Sequence, residues 1–252
     1  MKISVTALPF CGSCIAPRKW ITNIHTHPYR LYYVRGGSAY FRVGNEEMKL
    51  QKNCFYLFPS TLPFLIRQDP EDRLDHLFYH FIMSPPLIAP APVMCALDEH
   101  PLLPSILALM ERSMEYYRPY YRGPYIEKEL KNTVECTLET FLNLLFAIKQ
   151  FPATVESDIL ASVEYIESHY QEDFTVRDLA AHVCLDEDYF IRKFKKSLGV
   201  TPYSYLLNLR LGIAAEMRDL GLTTTEAALA VGFRHPSAYY RAIKRSNEKN
   251  GI

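Results

Sequence analysis

The sequence contains no apolar run long enough to cross a membrane, no excess of either charge and no dense cysteine pattern. Every apolar stretch is shorter than the ~18 consecutive residues that a transmembrane helix requires. Lysine and arginine together number 28, as do aspartate and glutamate, so the formal net charge is zero. These absences predict a soluble globular chain. They also exclude a strongly basic protein that binds nucleic acid through its overall charge.

The cysteines are too scattered for the disulfide framework of a small secreted domain. Cys11 and Cys14 have the C-x-x-C spacing, but no second such pair completes a zinc site and no βαβ pattern suggests a redox motif. We therefore expect two free thiols in an irregular N-terminal segment. Pro9 and Gly12 interrupt the short apolar stretch near the N-terminus, which disfavours a signal peptide. Together these features predict a cytoplasmic protein.

Residues 20–83 have the pattern of short β-strands. Aromatic and β-branched segments alternate with turn signals, and Gly44-Asn45 predicts a tight hairpin. The predicted strands are 31–34, 39–43, 47–50, 54–58 and 77–82. Short aromatic strands at this spacing favour an antiparallel barrel or sandwich. Residues 84–101 are rich in proline and predict a break rather than an element.

Beyond residue 101 the pattern becomes helical, over 102–117 and 124–150. The second helix carries apolar residues at every third or fourth position, which form a wide stripe. The stripe consists of Leu130, Val134, Leu138, Phe141, Leu142, Leu145 and Ile148. It serves either to pack the helix against the barrel or to form a dimer seam, and the two roles are compatible. A short linker is predicted at 151–156, followed by helices separated by turns near 171–175, 184–186, 199–201, 221–224 and 232–236.

The C-terminal region contains an internal repeat. Leu179-Ala180-x-x-Val183 recurs 48 positions later as Ala227-Ala228-x-x-Val231. A cationic segment, Phe190-x-Arg192-x-Phe194-Lys195-Lys196, recurs 49 positions later as Tyr239-x-Arg241-x-Ile243-Lys244-Arg245. Two copies of a short helix, a tight turn and a longer cationic helix are typical of paired helix-turn-helix motifs.

Local signals place the ends of these helices. Thr175-x-x-Asp178 and Thr223-x-x-Glu226 resemble capping boxes that open the first helix of each motif. Thr201-Pro202 supplies an N-cap and a proline at the first position of the helix that joins the two motifs. Gly232 supplies the turn of the second motif.

Both cationic helices are amphipathic. The predicted buried face is formed by Phe190, Phe194 and Leu198 in the first helix and by Tyr239, Ala242 and Ile243 in the second. The exposed residues are Asp188, Arg192, Lys195, Lys196, Tyr240, Arg241, Lys244 and Arg245, with Ile191 on the flank. A single helix of this kind is usually a solvated face, but two in register after a turn favour DNA binding. Arginine suits bidentate contacts with guanine in the major groove, and lysine suits phosphates.

Residues 158–245 resemble the DNA-binding region of the AraC (arabinose-regulator) family of transcription factors. The matching sequence segments are Phe174-Thr-Val-Arg-Asp-Leu-Ala180, Tyr189-Phe-Ile-Arg-Lys-Phe-Lys-Lys, Gly199-Val-Thr-Pro-Tyr203, Leu209-Arg-Leu211 and Ala228-Leu-Ala-Val-Gly-Phe233. The resemblance implies that Arg210-Leu211 lies on the joining helix and that the two recognition helices enter successive major-groove segments. The groove-facing positions that it implies are Asp188, Ile191, Arg192, Pro236, Ser237, Tyr240 and Arg241.

The sequence departs from the family pattern in the first motif. Cys184 stands where the turn often has glycine, so we expect this turn to be shaped differently, because a positive φ costs an L-residue ~1–2 kcal/mol. Asp186-Glu187-Asp188 opens the first recognition helix. Carboxylates there stabilise the helix dipole but repel phosphate, which predicts weaker or more selective binding.

Residues 20–83 resemble the cupin-like sensor domain that precedes the DNA-binding region in many AraC-family members. The resemblance depends on His25-x-His27, Tyr33-Val34-x-x-Gly37, the Gly44-Asn45 hairpin and Phe58-Pro59. It implies that the barrel interior binds a small effector, such as a sugar or related metabolite. The candidate effector-binding residues are His25, His27, Tyr33, Arg35, Tyr40 and His80.

Two alternatives to a sensor remain open. His25-x-His27 would suit a metal-dependent cupin enzyme, but the glutamate that follows such a pair is missing and Phe64 stands near the place of a later histidine ligand. The other alternative is a barrel that only dimerises, in a protein that binds DNA constitutively. We predict no enzymatic activity, no metal and no cofactor.

The sequence thus predicts an α+β protein of two domains. The predicted regions are a cupin-like antiparallel β-barrel at 1–101, a helical dimerisation segment at 102–150, a linker at 151–156 and an all-α tandem helix-turn-helix domain at 157–252. The expected partners are a double-stranded DNA operator, a small-molecule effector, a second copy in a homodimer and RNA polymerase. Effector binding is predicted to change how the helices at 102–150 pair or contact the DNA-binding domain.

Overall fold

The computed structural model describes residues 2–18, 20–24, 28–60, 64–89, 91–116, 128–149, 156–219 and 221–250. The chain divides into two compact units. We call Met1–Pro152 the β unit and Ala153–Ile252 the helical unit. The predicted α+β class with two domains is confirmed, and the helices predicted within 102–150 form part of the β unit.

The strands of the β unit form two antiparallel sheets. Chain order is β1 (Ser4–Ile15), β2 (Ile21–Ile24), β3 (Tyr29–Gly36), β4 (Ala39–Val43), β5 (Glu46–Lys49), β6 (Cys54–Phe58), β7 (Phe64–Gln68), β8 (Asp75–Ser84) and β9 (Val93–Ala96). One sheet has the order β1-β8-β3-β6-β9 and the other β2-β7-β4-β5. The predicted hairpin joins β4 to β5, with Gly44 at φ 58°.

Two sequence-based predictions for this unit are wrong. The segment around Cys11 is not irregular, because it forms β1, a strand of twelve residues that pairs with β8 along most of its length. The proline-rich region at 84–101 is not only a break, because it contains β9, which pairs with β6. In both cases the hydrogen-bond partner lies far away in the sequence, so no local pattern reveals it.

Two helices cover one face of the first sheet: α1 (Leu103–Tyr116) and α2 (Lys128–Lys149). The stripe of α2 packs inward, because Val134, Leu138, Phe141, Leu142 and Leu145 are buried in one cluster with the strands. This arrangement confirms the packing role of the stripe.

A polar contact also fixes α2 against the edge of the first sheet. The side chain of Asn143 accepts a hydrogen bond from the Ile3 backbone N–H (2.9 Å) and donates one to the Ile3 carbonyl (3.0 Å). Glu139 accepts one from the Val5 N–H (2.7 Å). These bonds satisfy backbone groups that an edge strand would otherwise leave open.

The helical unit consists of six helices within its described residues. They are α3 (Ser157–His169), α4 (Val176–His182), α5 (Glu187–Leu198), α6 (Pro202–Asp219), α7 (Thr224–Ala230) and α8 (Pro236–Asn250). Phe190, Phe194 and Tyr205 fill the core of the first half, where the Tyr205 hydroxyl donates to the buried Glu167 carboxylate at 2.7 Å. In the ranges that the structure describes, no helix is both long enough and apolar enough to cross a membrane.

Candidate nucleic-acid interface

Each half of the helical unit opens with a capped short helix. At α4, the Thr175 hydroxyl accepts from the Asp178 N–H (3.2 Å) and the Asp178 carboxylate accepts from the Thr175 N–H (2.7 Å). At α7, Thr223 and Glu226 make the same reciprocal pair, at 3.2 and 2.8 Å. Both predicted capping boxes are confirmed. They fix the residue at which each short helix begins and therefore the start of each helix-turn-helix motif.

The two turns that follow have the same hydrogen-bond pattern. After α4, Cys184 N–H donates to the Ala181 carbonyl (3.1 Å) and Leu185 N–H donates to Ala180 (2.9 Å). After α7, the residues 48 positions later, Gly232 and Phe233, make the equivalent bonds at 3.1 and 3.0 Å. Cys184 has φ 56° and Gly232 has φ 91°. The expectation of a differently shaped first turn is therefore wrong, because Cys184 adopts the left-handed conformation despite its cost.

The predicted recognition helix of the first motif is α5, and its buried and exposed faces are as predicted. Phe190, Phe194 and Leu198 are buried, whereas Asp188, Arg192, Lys195 and Lys196 are exposed and Ile191 is half-buried. The acidic start of the helix has a local role, because Asp186 is the N-cap and accepts a hydrogen bond from the Tyr189 N–H at 3.1 Å. Gly199, which follows the last residue of α5, is its C-cap and has φ 75°.

One cation of α5 does not belong to the exposed face. Lys193 is paired with Glu156 (2.6 Å) and Asp158 (2.5 Å) at the start of α3. The two carboxylates raise the pKa of Lys193 further above its usual value. Burial raises the pKa of Asp158, but hydrogen bonds from Lys193 and the Ile159 N–H outweigh burial, and the pKa is lowered overall. Lys193 therefore anchors α5 to α3, whereas the neighbouring Arg192 is exposed.

The predicted recognition helix of the second motif is α8. Tyr239 and Ala242 are buried and Ile243 is half-buried, as predicted. The exposed residues are Ser237, Tyr240, Arg241, Lys244 and Arg245, and Pro236 is half-buried at the start of the helix. The core beneath α8 is made of small residues, because Ala227 and Ala228 are both fully buried.

The candidate effector-binding residues are not brought together. His25 and His27 lie outside the described residues. Tyr33 faces the helices rather than the interior, because its ring packs against Phe55 (4.7 Å) in the cluster under α2. Arg35 is on the same side and pairs with Asp75 (2.8 Å) and Glu111 of α1 (3.3 Å).

The remaining two candidates lie on different faces. Tyr40 is on the outer face of the second sheet, where the Arg67 guanidinium stacks on its ring at 4.5 Å. His80 faces the interior between the two sheets, with its ring 5.3 Å from Phe10 and 6.0 Å from Tyr32. The prediction that Tyr33, Arg35 and Tyr40 face the interior is therefore wrong. Among the described candidates, His80 faces the interior.

The interior contains polar residues that the sequence analysis missed. Register places Phe10, His80, Arg30 and Phe58 in one row across four neighbouring strands. Arg30 is 8% exposed, and the guanidinium donates to the Pro28 carbonyl at 3.2 Å. One arginine and one histidine, both capable of positive charge, are thus neighbours on adjacent strands, with a phenylalanine on either side.

His76 is the second interior histidine on β8, with its ring 5.2 Å from Tyr32 and 5.9 Å from Trp20. Burial lowers the pKa of His76 to about 4, with further lowering by His80 and Arg35. The ring is therefore neutral at physiological pH. Among the described residues no three histidine, cysteine, aspartate or glutamate side chains are grouped to hold a metal ion.

Comparison with known proteins gives a family match within the helical unit and partial matches to named regulators. A family model described as a helix-turn-helix domain matches residues 179–248. A probable transcriptional regulator, LumQ, from Photobacterium leiognathi is 28% identical over 122 residues, which are 48% of this chain and 47% of LumQ. The lactose operon transcription activator of Staphylococcus xylosus is 30% identical over 95 residues, 37% of this chain and 34% of the activator. The chain thus spans less than half the length of these relatives.

Solved structures match over both units. ToxT from Vibrio cholerae with an unsaturated fatty acid bound is similar with a TM-score of 0.63 and 12% identity, covering 97% of this chain and 93% of ToxT. An apo ToxT variant gives a TM-score of 0.62 at 10% identity, covering 94% of this chain and 92% of that one. At such identities the likeness shows the fold. Together with the tandem motifs, the helix-turn-helix match over residues 179–248 confirms the expected resemblance of the helical unit to the DNA-binding region of the AraC family.

Proposed function

We propose that this protein is a sequence-specific DNA-binding transcription regulator whose β unit binds a small-molecule effector. The observation that carries the proposal is the repeated pair of capped helix, tight turn and cationic helix with its cations exposed. An α-helix fits the major groove, and two such helices in one chain read two successive groove segments.

The exposed side chains divide by the contacts that they suit. In this proposal Arg192 and Arg241 each donate two hydrogen bonds to a guanine. The flanking cations suit phosphates, which contribute affinity without sequence information. These are Lys195, Lys196, Lys244 and Arg245. The other proposed groove-facing residues are Asp188, Ile191, Pro236, Ser237 and Tyr240.

Selection of bound sites from random DNA tests this function. The wild type is expected to enrich one motif, and Arg192→Ala and Arg241→Ala are each expected to relax the preference at the guanine they contact, by about 1–3 kcal/mol. Arg42→Ala, an exposed arginine of the β unit, is the matched control and should select the wild-type motif. If the variant that carries both Arg192→Ala and Arg241→Ala selects the same motif as the wild type, the assignment of the recognition helices is wrong.

A contrasting result is expected for Lys195→Ala. Removing a phosphate contact weakens binding to all sequences alike and makes the dependence on salt concentration shallower by about one unit of slope. Equal salt slopes for the variant and the wild type would contradict a phosphate contact by Lys195.

For the effector, we propose a molecule with an acidic head and an apolar body, bound in the interior of the β unit. Arg30 and His80 lie opposite each other and are flanked by Phe10 and Phe58, which suits a carboxylate attached to a hydrophobic group. ToxT, similar in fold, has been solved with an unsaturated fatty acid bound. The sugar predicted from the sequence is the competing effector class.

Thermal unfolding of the full chain with added ligands separates these classes. An unsaturated fatty acid below its micelle concentration is expected to raise the Tm, whereas its primary amide and a panel of sugars are not. Arg30→Met should abolish the effect, and Arg42→Met should preserve it. A shift produced by a sugar alone would instead support the sugar prediction, and a stoichiometric transition metal in the purified protein would support the metal-dependent enzyme.

The proposed regulator acts as a homodimer through the segment 102–150 and contacts RNA polymerase at its operator. The inner stripe of α2 is occupied by the core, but Leu102, just before α1, and Leu109, on α1, are 55% and 52% exposed. Sedimentation analysis is expected to show a dimer that Leu102→Ser with Leu109→Ser weakens. Leu229→Ser, an equally exposed leucine of the helical unit, is the control.

A further inference from the structure

The two helix-turn-helix motifs meet at a junction of three segments within the helical unit. These are the loop 170–173 of the first motif, Arg210 on the joining helix α6 and the turn at Gly232 of the second motif. Arg210 Nε donates to the Tyr170 carbonyl at 2.6 Å, and its Nη2 donates to the Glu172 carbonyl at 2.7 Å. A single guanidinium on the joining helix thus holds two carbonyls of one loop in the first motif.

The turn of the second motif lies against the same loop. A Cβ at Gly232 would be 2.4 Å from the Gln171 carbonyl oxygen and 3.0 Å from Nη2 of Arg210, so only glycine allows this approach. The next side chain, Phe233, has its ring 6.0 Å from the Arg210 guanidinium. An exposed ion pair between Asp173 and Arg234 joins the loop to the second motif at the rim.

The geometry of this junction depends on the shape of the guanidinium. Arg210 is half-buried, and burial lowers its pKa, yet arginine stays protonated at every physiological pH. Charge-assisted hydrogen bonds from a rigid, planar fork fix direction as well as distance. A lysine at this position carries the same charge but cannot reproduce two diverging N–H groups.

We propose that Arg210 is a positioning residue that sets the spacing of the two DNA segments read by the chain. It holds the loop 170–173 against α6 while the turn at Gly232 rests on that loop, so the relative rotation of the two motifs is fixed before DNA binds. This inference rests on the proposed DNA-binding function. It adds that spacing specificity is determined by a residue acting through the backbone of the loop rather than through a base.

The test uses the full-length protein and the two half-sites that the wild type selects from random DNA. The half-sites are separated by the selected spacer and by spacers one and two base pairs longer or shorter, and affinity is measured for each. The wild type is expected to prefer one spacing, because turning one half-site about the DNA axis misaligns the second helix. Arg210→Met is expected to reduce that preference about tenfold, which corresponds to ~1.4 kcal/mol, while affinity for a single half-site stays within a factor of about two.

Controls distinguish positioning from a general loss of structure. Arg218→Met, an exposed arginine on the same helix, should keep the wild-type spacing preference. Arg210→Lys and Gly232→Ala should also reduce the preference, and they decide the question if circular dichroism shows Arg210→Met to be unfolded. A spacing preference that survives in the folded Arg210 and Gly232 variants overturns the proposal. A wild-type protein that selects no DNA instead refutes the proposed function.

Discussion

Lowering the pH through the titration range of histidine is expected to destabilise the β unit through His76. The side chain is 4% exposed, and its Nδ1 has no hydrogen-bond partner among the described residues. Burial, followed by repulsion from His80 and Arg35, lowers the pKa from 6.5 to about 4, and the partial opposition of Asp75 does not restore it. The unfolded chain therefore takes up a proton at a higher pH than the folded chain does.

The size of this effect follows from the difference between the two pKa values. Between 6.5 and about 4 it amounts to about 3 kcal/mol of unfolding free energy, at ~1.4 kcal/mol per pH unit. The sign is that of a group whose protonation favours the unfolded state. The stability is fully present above pH 6.5, declines as the pH falls and is lost near pH 4.

Trp20 provides the assay, because it is the single tryptophan of the chain and its ring lies 5.9 Å from that of His76. Urea unfolding monitored by Trp20 fluorescence gives the unfolding free energy at each pH. His76→Phe keeps an aromatic ring among aromatic neighbours and should flatten the profile between pH 6.5 and 4, whereas His100→Gln should retain it. Identical pH profiles for wild type and His76→Phe would refute the reasoning.

Three further substitutions test the local structure by thermal or urea unfolding. Cys184→Gly should stabilise the helical unit by about 0.5–1 kcal/mol, since relief of the left-handed strain exceeds the added chain entropy of glycine. Thr175→Ala and Thr223→Ala should each destabilise it by about 1 kcal/mol through loss of an N-cap, and a smaller loss would show that the caps are dispensable. Asn143→Leu should destabilise the β unit by about 1–3 kcal/mol, because it leaves the N–H and the carbonyl of Ile3, just before β1, unpaired. The exposed Asn132→Leu should have little effect.

Features set by neighbouring residues were predictable from the sequence. The hairpin at Gly44, the two capping boxes and the faces of α5 and α8 all depend on contacts within a few positions, and each was found where the sequence placed it. Strands β1 and β9 were not predictable in this way. Each is stabilised by a partner strand that is distant in sequence, and β9 lies among prolines that locally favour irregular structure.

The interior of the β unit was the hardest part to predict. β3 and β8 are buried on both faces, so their apolar runs show no alternation that would tell an inward side chain from an outward one. The direction becomes known only when the helices are placed on one face. Tyr33 then faces α2 whereas its neighbour Tyr32 faces the interior. Arg30 and His76 were missed for the same reason.

The neutral net charge of the chain is compatible with DNA binding because its charges are separated by role. Four carboxylates of the helical unit act in helix capping and anchoring: Asp178 and Glu226 complete capping boxes, Asp186 caps α5 and Asp158 pairs with Lys193. Six cations of α5 and α8 are instead exposed: Arg192, Lys195, Lys196, Arg241, Lys244 and Arg245. Screening confines electrostatic contacts to roughly 10 Å at moderate salt. A phosphate at α5 or α8 therefore responds to the local arrangement of cations, and the sum over the whole chain carries little information about binding.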